Sequence, residues 1–586
     1  MCGIFGGFGS GSHWSSVENC GELLAHRGPD DAGFFSDDLA CLGNTRLAIQ
    51  DLDHGHQPFI SDCGQVVIVQ NGEIYNHRDL RQQLEELGEI FATTCDTEVI
   101  LRGYLRQGLA FTDKLNGMFA IAIYDQRTHR LHLIRDRLGV KPLFFTQFEG
   151  RFVFGSEIKV VLAVSGRKPE LDEHSLSDYL SYNYVPPPRT MFRHVEHVKP
   201  GHIMTVSERG LQEKTWWTLS DVGVEYRCYS NQWEEEFNAL LTDATRIRLM
   251  ADVEVGAFLS GGLDSSSVLG AATEFSESPL KVFSIGFDDA RFNELPYAQL
   301  AAKQFSAEIH SRVTTPDLLD NWKSALYYSD QPHGDTSFLP TWQVADLASG
   351  YVKVVLTGDG GDELFGGYEK YLRLGMDPSL DNLKDHEFIK RYWHDLTLFS
   401  DTEKKCLVTL AETREAANES IDHIQRVNSA MRHQDKINQM LLIDTSILLP
   451  GNNLVKPDRM GMACSLEARS PYLDYRIVEF AFRTAGTMKL EGGSTKSCLK
   501  KALATKLGPE LTYRKKQMFT VPVGEWFKTT RREFCHTQLN LLKSTGWFDP
   551  KFIDEIFIQH VSGRRNRTRE LRALVALQLW RSVFIP

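Results

Sequence analysis

The apolar run Val255-Gly256-Ala257-Phe258-Leu259 leads into Ser260-Gly261-Gly262-Leu263-Asp264-Ser265-Ser266, after which the pattern turns helical. Strand, glycine-rich turn and helix in that order aim backbone N–H groups and a helix N-terminus at one point, where phosphate binds. A bare Gly-Gly is a turn in any protein. Set between strand and helix, with hydroxyls at both ends, it reads as a pyrophosphate loop. Asp264 is out of place there unless Mg2+ intervenes, because a lone carboxylate repels phosphate. Around the loop the chain alternates: helix over 233–249, strand over 255–259, helix over 266–273, strand over 281–286, helix over 295–305, strand over 351–356. That rhythm predicts a doubly wound parallel sheet.

A second acidic stretch, Thr357-Gly358-Asp359-Gly360-Gly361-Asp362-Glu363-Leu364-Phe365-Gly366-Gly367-Tyr368, follows the last of those strands. Its glycines let the backbone approach a ligand closely, and its acids can share a metal or act as a base. Beyond about residue 370 the chain reads as mostly helical. Residues 376–440 are charged and without motif, and are expected only to pack as helices.

The first 200 or so residues have another texture. Short β-type runs such as Val66-Val67-Ile68-Val69, Met118–Asp125 and Leu131–Asp136 alternate with Gly, Asp and Asn turns, and helices are expected over 78–87 and 98–107. Two packed antiparallel sheets with helices outside suit that mixture. The chain opens Met1-Cys2-Gly3-Ile4-Phe5-Gly6. Once Met1 is removed, the Cys2 thiol lies beside a free α-amine of pKa ~8, so one residue supplies nucleophile and base. Three further segments stand out: Ala25-His26-Arg27-Gly28-Pro29-Asp30, Thr45-Arg46-Leu47-Ala48-Ile49, and Asn71-Gly72-Glu73-Ile74-Tyr75-Asn76. Taken alone, Arg46 reads as a surface charge and Asn71-Gly72 as a turn.

At 586 residues the chain exceeds one core. The expected division is 2–205, a linker over 206–232 rich in polar residues after Trp216-Trp217, and 233–586. A net charge of −12 argues against non-specific nucleic-acid binding. No apolar run is long enough to span a bilayer, and no basic-then-apolar leader precedes Cys2. The ten cysteines lack CxxC pairing and read as reduced thiols, so a cytoplasmic location is expected.

With the terminal cysteine, these segments make residues 2–205 resemble the glutaminase domain of class II glutamine amidotransferases. The resemblance implies an Ntn-type αββα sandwich with Cys2 as nucleophile. It gives the oxyanion hole to the Asn71 amide and the Gly72 N–H, and the glutamine α-carboxylate to Arg46. Asp96, in Cys95-Asp96-Thr97-Glu98, would hold the α-ammonium, with Glu73 also among the glutamine contacts. A zwitterion needs one fixed cation and one fixed anion, and arginine offers carboxylate a bidentate fork.

The two downstream loops extend the likeness over nearly the full chain, to the glutamine-hydrolysing asparagine synthetases. That resemblance implies an ATP-pyrophosphatase-like domain with a helical C-terminal portion. Leu259, Ile285 and Gly358 would line an adenine pocket, and Ser260, Gly261, Gly262, Asp264 and Ser265 would hold ATP. Asp264 and Asp362 would bind Mg2+ on the pyrophosphate, and Asp359 would deprotonate attacking ammonia. Lys516, in Tyr513-Arg514-Lys515-Lys516-Gln517-Met518-Phe519, would stabilise the adenylating transition state. Leu466-Glu467-Ala468-Arg469-Ser470-Pro471-Tyr472-Leu473-Asp474 would pack around the site and a tunnel. The chain departs from that pattern twice. Asp359 stands where bacterial relatives carry glutamate, and the acceptor loop Ser329-Asp330-Gln331-Pro332-His333-Gly334-Asp335-Thr336-Ser337 has no arginine. Lys370, Arg373, Lys456 and Arg459 are the candidates to supply the missing cation. The implied reaction is glutamine-dependent amidation of aspartate with ATP cleaved to AMP and pyrophosphate; the alternative acceptor is a sugar acid, a peptide or another biosynthetic carboxylate. Expected partners are those small molecules, with neither nucleic acid nor membrane, and self-association as a homodimer stays open.

Overall fold

The computed structural model describes residues 2–10, 14–223, 227–431, 433–514 and 521–586. Two six-stranded antiparallel sheets form its N-terminal part. In the first, the order is Glu196–His197, Phe144–Phe148, Arg151–Gly155, Cys2–Phe8, Ala40–Arg46 and Asp31–Ser36. In the second it is Gly210–Thr215, His202–Ser207, Arg130–Arg135, Gly117–Asp125, Val66–Ile74 and Phe59–Ile60.

Strand periodicity explains why the sheets stack. Successive side chains point to opposite faces, so Val67 and Val69 join Ile4, Leu42, Leu133 and Phe154 in a core between the sheets. Val66 and Ile68 point the other way, onto Leu80 and Leu84 of the His77–Glu86 helix and Val99 and Ile100 of the Asp96–Gln107 helix. On the outer face of the first sheet, Phe5 and Val153 pack with Val160 and Leu176 from the Ile158–Ser165 and Glu173–Tyr182 helices. The layers are therefore helix, sheet, sheet, helix, as expected. Each fully buried Val, Ile or Leu contributes ~1.5–3 kcal/mol to that stack.

The C-terminal part carries a five-stranded sheet in the order Glu308–Thr314, Lys281–Phe287, Val255–Phe258, Val354–Leu356 and Glu467–Arg469, parallel throughout. Val255–Phe258 is flanked by the next strand in sequence on one side and by a much later one on the other. That is the topological switch point, where the carboxyl ends of open parallel sheets leave a crevice for ligands. Both glycine-rich loops leave from strands at this point.

Three elements differ from expectation. Glu308–Thr314 is a strand, though its sequence is mostly polar, because it lies at the sheet edge and is largely exposed. Asn71-Gly72-Glu73 is no turn but the end of the Val66–Ile74 strand, paired with Phe119, Ala120 and Met118. The hairpin of His202–Ser207 and Gly210–Thr215 completes the second N-terminal sheet, so strand continues into the stretch expected as linker. Residues from the charged 376–440 stretch pack as helices: Phe388, Tyr392, Trp393 and Ile424 are buried in one core with Leu441 and Phe480. No helix among the described residues is long and apolar enough to cross a membrane.

Candidate active sites

Cys2 begins the first strand, and the antiparallel register sets it directly opposite Arg46. The thiol is buried, and burial pushes its pKa up against the pull of hydrogen bonds at Asn44 and Leu47 and of the Arg46 charge. The Cys2 backbone N–H donates to Asn71 Oδ1 at 3.3 Å. Nucleophile and expected oxyanion amide thus come from strands in different sheets that meet at their ends. Gly72 has φ +149°, and a Cβ there would lie 2.0 Å from the Met118 carbonyl oxygen. Only glycine fits that backbone conformation and the close approach of the neighbouring strand.

Arg46 is fixed before any ligand arrives. Its guanidinium donates to the carbonyls of Gln50 at 2.9 Å, Asp51 at 2.7 Å and Leu52 at 3.2 Å. Asp96 opens the Asp96–Gln107 helix and accepts from the Ile74 N–H at 2.9 Å and Gln70 Nε2 at 3.0 Å. Glu73 accepts from Gln50 Nε2 at 2.5 Å. The structure therefore gathers Cys2, Arg46, Asn71, Gly72, Glu73 and Asp96 where the two sheets converge. Burial pushes Glu73 up to about 8, against the pull of Arg469, which reaches it across the domain boundary.

At the switch point, Gly262 caps the Leu263–Ala272 helix, so the helix starts inside the glycine-rich loop and Asp264 sits in its first turn. Ser260 and Ser265 tie the loop to itself through their hydroxyls at 3.1 Å. The acidic loop lies against this turn: a Cβ on Gly358 would stand 2.8 Å from Asp264 Cβ, and one on Gly361 would stand 2.7 Å from Asp264 Oδ1. Leu259 and Ile285 are buried at the ends of adjacent strands. Asp359 is half-buried, and desolvation pushes its carboxyl up from the ordinary value despite the Thr357 hydrogen bond and the Lys456 charge.

Lys496 was not foreseen. It stands with φ +53° at the start of the Ser497–Thr512 helix, and its Nζ pairs with Asp362 at 2.6 Å and with Asp264. Both expected metal ligands thus converge on one buried cation. Two carboxylates meeting at one point, beside a phosphate loop, are the donor set from which Mg2+ is held with substrate oxygens completing its shell. No cluster of three or more metal-ligating side chains exists among the described residues. A positive φ before a helix was the only signal for Lys496, and a sequence does not display it. Arg514 is also close: its Nη2 would be 3.4 Å from a Cβ on Gly262, and it pairs with Glu294 at 2.7 Å. Lys516 lies outside the described residues.

Of the four candidate acceptor cations, two are placed elsewhere and two, Arg459 and Lys456, meet the acceptor loop. Lys370 pairs with Asp444 among tyrosine rings. Arg373, one turn on in the Glu369–Gly375 helix, faces solvent with its side chain 66% exposed. They do not share a pocket: Lys370 turns inward to Asp444, while Arg373 turns outward, 3.7 Å from Asp395. Arg459 is buried between Glu157 at 2.8 Å and Asp330 at 3.3 Å. Lys456 reaches the other end of the same loop, donating to Asp335 at 2.9 Å and Ser337 at 3.0 Å. Asp335 is held well below the usual carboxylate range by Lys456 and Arg572, despite burial.

The two halves meet through buried charge. Arg27 donates to the Cys2 carbonyl at 3.2 Å, to Glu157 at 3.1 Å and to both oxygens of Asp458 at 2.9 and 3.1 Å. Asp458, Arg459 and Lys456 share the Val455–Met462 helix. A crevice beside it is lined by Arg135, Val140, Phe144, His197, Gln331 and Leu454, from both halves.

Residues 236–582 match the asparagine synthase family, and residues 1–217 the glutamine amidotransferase domain. Asparagine synthetase [glutamine-hydrolyzing] 1 of Bacillus subtilis (strain 168) is 30% identical, covering 100% of this chain and 97% of that protein. Asparagine synthetase [glutamine-hydrolyzing] 3 of the same organism is 31% identical over 90% and 89%. An amidase of Penicillium rubens is 33% identical over 61% of this chain and 55% of its own length. The family match spans the switch-point site, the amidotransferase match spans the cysteine site, and full-length relatives carry both, so the chain belongs to the asparagine synthase family.

Proposed function

We propose that this chain is an ATP-dependent carbon–nitrogen ligase that takes its nitrogen from glutamine and converts aspartate to asparagine. One observation carries the reading: a cysteine site and a phosphate-loop site stand on one chain, joined by a buried interface. With Met1 removed, the Cys2 amine takes the thiol proton and Sγ attacks the glutamine amide carbon. Asn71 and the Gly72 N–H hold the oxyanion, ammonia leaves, and water hydrolyses the thioester to glutamate. Each such donor lowers the barrier by ~3 kcal/mol. Arg46 takes the α-carboxylate of glutamine, and Asp96 with Glu73 the α-ammonium.

In the second site the loop N–H groups and Ser260 and Ser265 hold the phosphates of ATP, with Leu259, Ile285 and Gly358 around the base. Mg2+ bound by Asp264 and Asp362 would neutralise the pyrophosphate, and Lys496 holds their charges in its place between turnovers. The acceptor carboxylate attacks the α-phosphorus and pyrophosphate leaves; Lys516 is the proposed stabiliser of that step. Ammonia attacks the acyl carbon, its proton passes to Asp359, and AMP leaves. A carboxyl raised by burial suits that exchange. Lys456 supplies the cation for the acceptor, and Asp335 an anion for its ammonium.

The test is acceptor-dependent release of AMP and pyrophosphate across aspartate, sugar acids and small peptides, with products read by mass spectrometry. Asparagine from aspartate at millimolar concentration is expected. Reaction with another acid and none with aspartate would overturn the acceptor and leave the ligase reading standing.

A further inference from the structure

The segment from Leu466 to Asp474 takes no part in either chemistry, yet it touches both sites. The Glu467–Arg469 strand closes the edge of the parallel sheet, and the Thr357 N–H, at the head of the acidic loop, donates to the Arg469 carbonyl at 2.9 Å. The next residue continues the contact: Ser470 Oγ donates to the Asp359 carbonyl at 2.5 Å. The Arg469 side chain points the other way, across the domain boundary. It is fully buried and reaches Glu73 at 3.3 Å, Glu467 at 2.5 Å and the carbonyls of Arg248 and Met250 at 2.9 and 2.7 Å. Beside it, Tyr75 from the same segment as Glu73 lies under the Arg248 and Arg469 guanidiniums at 4.4 and 5.7 Å.

Glu73 continues the strand that carries Asn71 and Gly72. One arginine therefore stands between the oxyanion strand and the loop that holds Asp359, with no flexible element between them. Glu73 and Glu467 both face its guanidinium. Glu467 holds the closer bond and, although buried, is kept down to about 2 by surrounding positive charge that includes Arg469. An ammonium arriving at Glu73 gives that carboxyl a second cation beside Arg469. The arginine thus faces a group expected to meet glutamine while its own carbonyl anchors the head of the acidic loop, the contiguous contact that coupling requires.

We propose that Arg469 is a positioning residue that couples glutamine occupancy of the cysteine site to the placement of Asp359 in the synthetase site. The inference rests on the reading of Glu73 as a glutamine contact. Coupling in binding is reciprocal, so a nucleotide in the second site tightens glutamine in the first.

The experiment uses the full-length Cys2→Ala protein, which holds glutamine without consuming it. Its glutamine Kd is measured by calorimetry with and without Mg2+ and a non-cleavable α,β-methylene ATP analogue. The nucleotide is expected to tighten glutamine about fivefold or more. Added Arg469→Gln should bring that ratio to one. Glu467→Gln, which keeps the arginine and the volume of its partner, should also collapse the ratio by leaving Arg469 with Glu73, and it decides the matter if the arginine variant fails to fold. A ratio of one in the parent, or the same ratio in parent and variants, would overturn the coupling while glutamine binding stands. No glutamine binding by the Cys2→Ala parent would overturn the site reading itself.

Discussion

The two sites solve the problem of holding charge in opposite ways. In the N-terminal half three of the groups expected to touch glutamine are fixed by the backbone: Arg46 by three carbonyls, Asp96 by a strand N–H, Gly72 by a register that admits no Cβ. In the C-terminal half the charged groups hold one another, Lys496 between Asp264 and Asp362, and Lys456 on Asp335. The first arrangement holds most of its charges ready for one ligand. On the proposed reading, the second would exchange internal ion pairs for its ligands at each turnover. Antiparallel sheets whose interiors meet strand end to strand end favour the first. Loops at a parallel switch point favour the second.

If the cysteine site carries its chemistry on its own residues, Cys2→Ala should reduce glutamine-dependent amidation by roughly 10^4-fold and leave ammonia-dependent amidation near normal. Steady-state assays with each nitrogen source check this, and equal loss of both in a folded variant would break the contrast. Blocking Met1 removal should reproduce the glutamine defect. Asn71→Ala removes one oxyanion donor and should lower glutaminase kcat by about 10^2- to 10^3-fold, with ammonia-dependent turnover again as the control.

The junction between the halves is the next place to press. Asp458→Asn leaves Arg27, and the buried Lys141 3.6 Å from the same carboxylate, short of a partner and should destabilise the chain by about 3 kcal/mol, read as an earlier transition in denaturant. An unchanged midpoint would show that the interface is not held by this pair. The smallest effect is expected in the exchangeable site. Lys456→Met should raise the acceptor KM by about tenfold, the scale of ~1.4 kcal/mol, with kcat for ATP–pyrophosphate exchange little altered. A normal acceptor KM would remove Lys456 from the site.

Much of this was legible in the chain. Short patterned runs announced the two antiparallel sheets, and the strand–glycine–helix order announced the parallel one. What escaped had a physical reason. Asn71-Gly72 carries turn chemistry but lies in a strand, because pairing with Phe119 and Ala120 overrides it. Glu467–Arg469 is too short and charged to read as a strand, yet is buried at a sheet edge against the other half. Lys496 lies 232 residues from Asp264, and no local pattern links a left-handed lysine to a distant carboxylate. Lys370 and Arg373 had helical spacing in their favour, but spacing does not say which face of a helix is buried.

The central claim is that nitrogen released at Cys2 is used at Asp359 within one molecule. Amide-15N glutamine, ATP, Mg2+ and aspartate are supplied with a large excess of unlabelled ammonium, and the amide of the product is read by mass spectrometry. Direct transfer predicts 15N in the product far above the fraction of label in bulk ammonia. Enrichment equal to the bulk fraction would contradict the account and leave two unconnected activities on one chain.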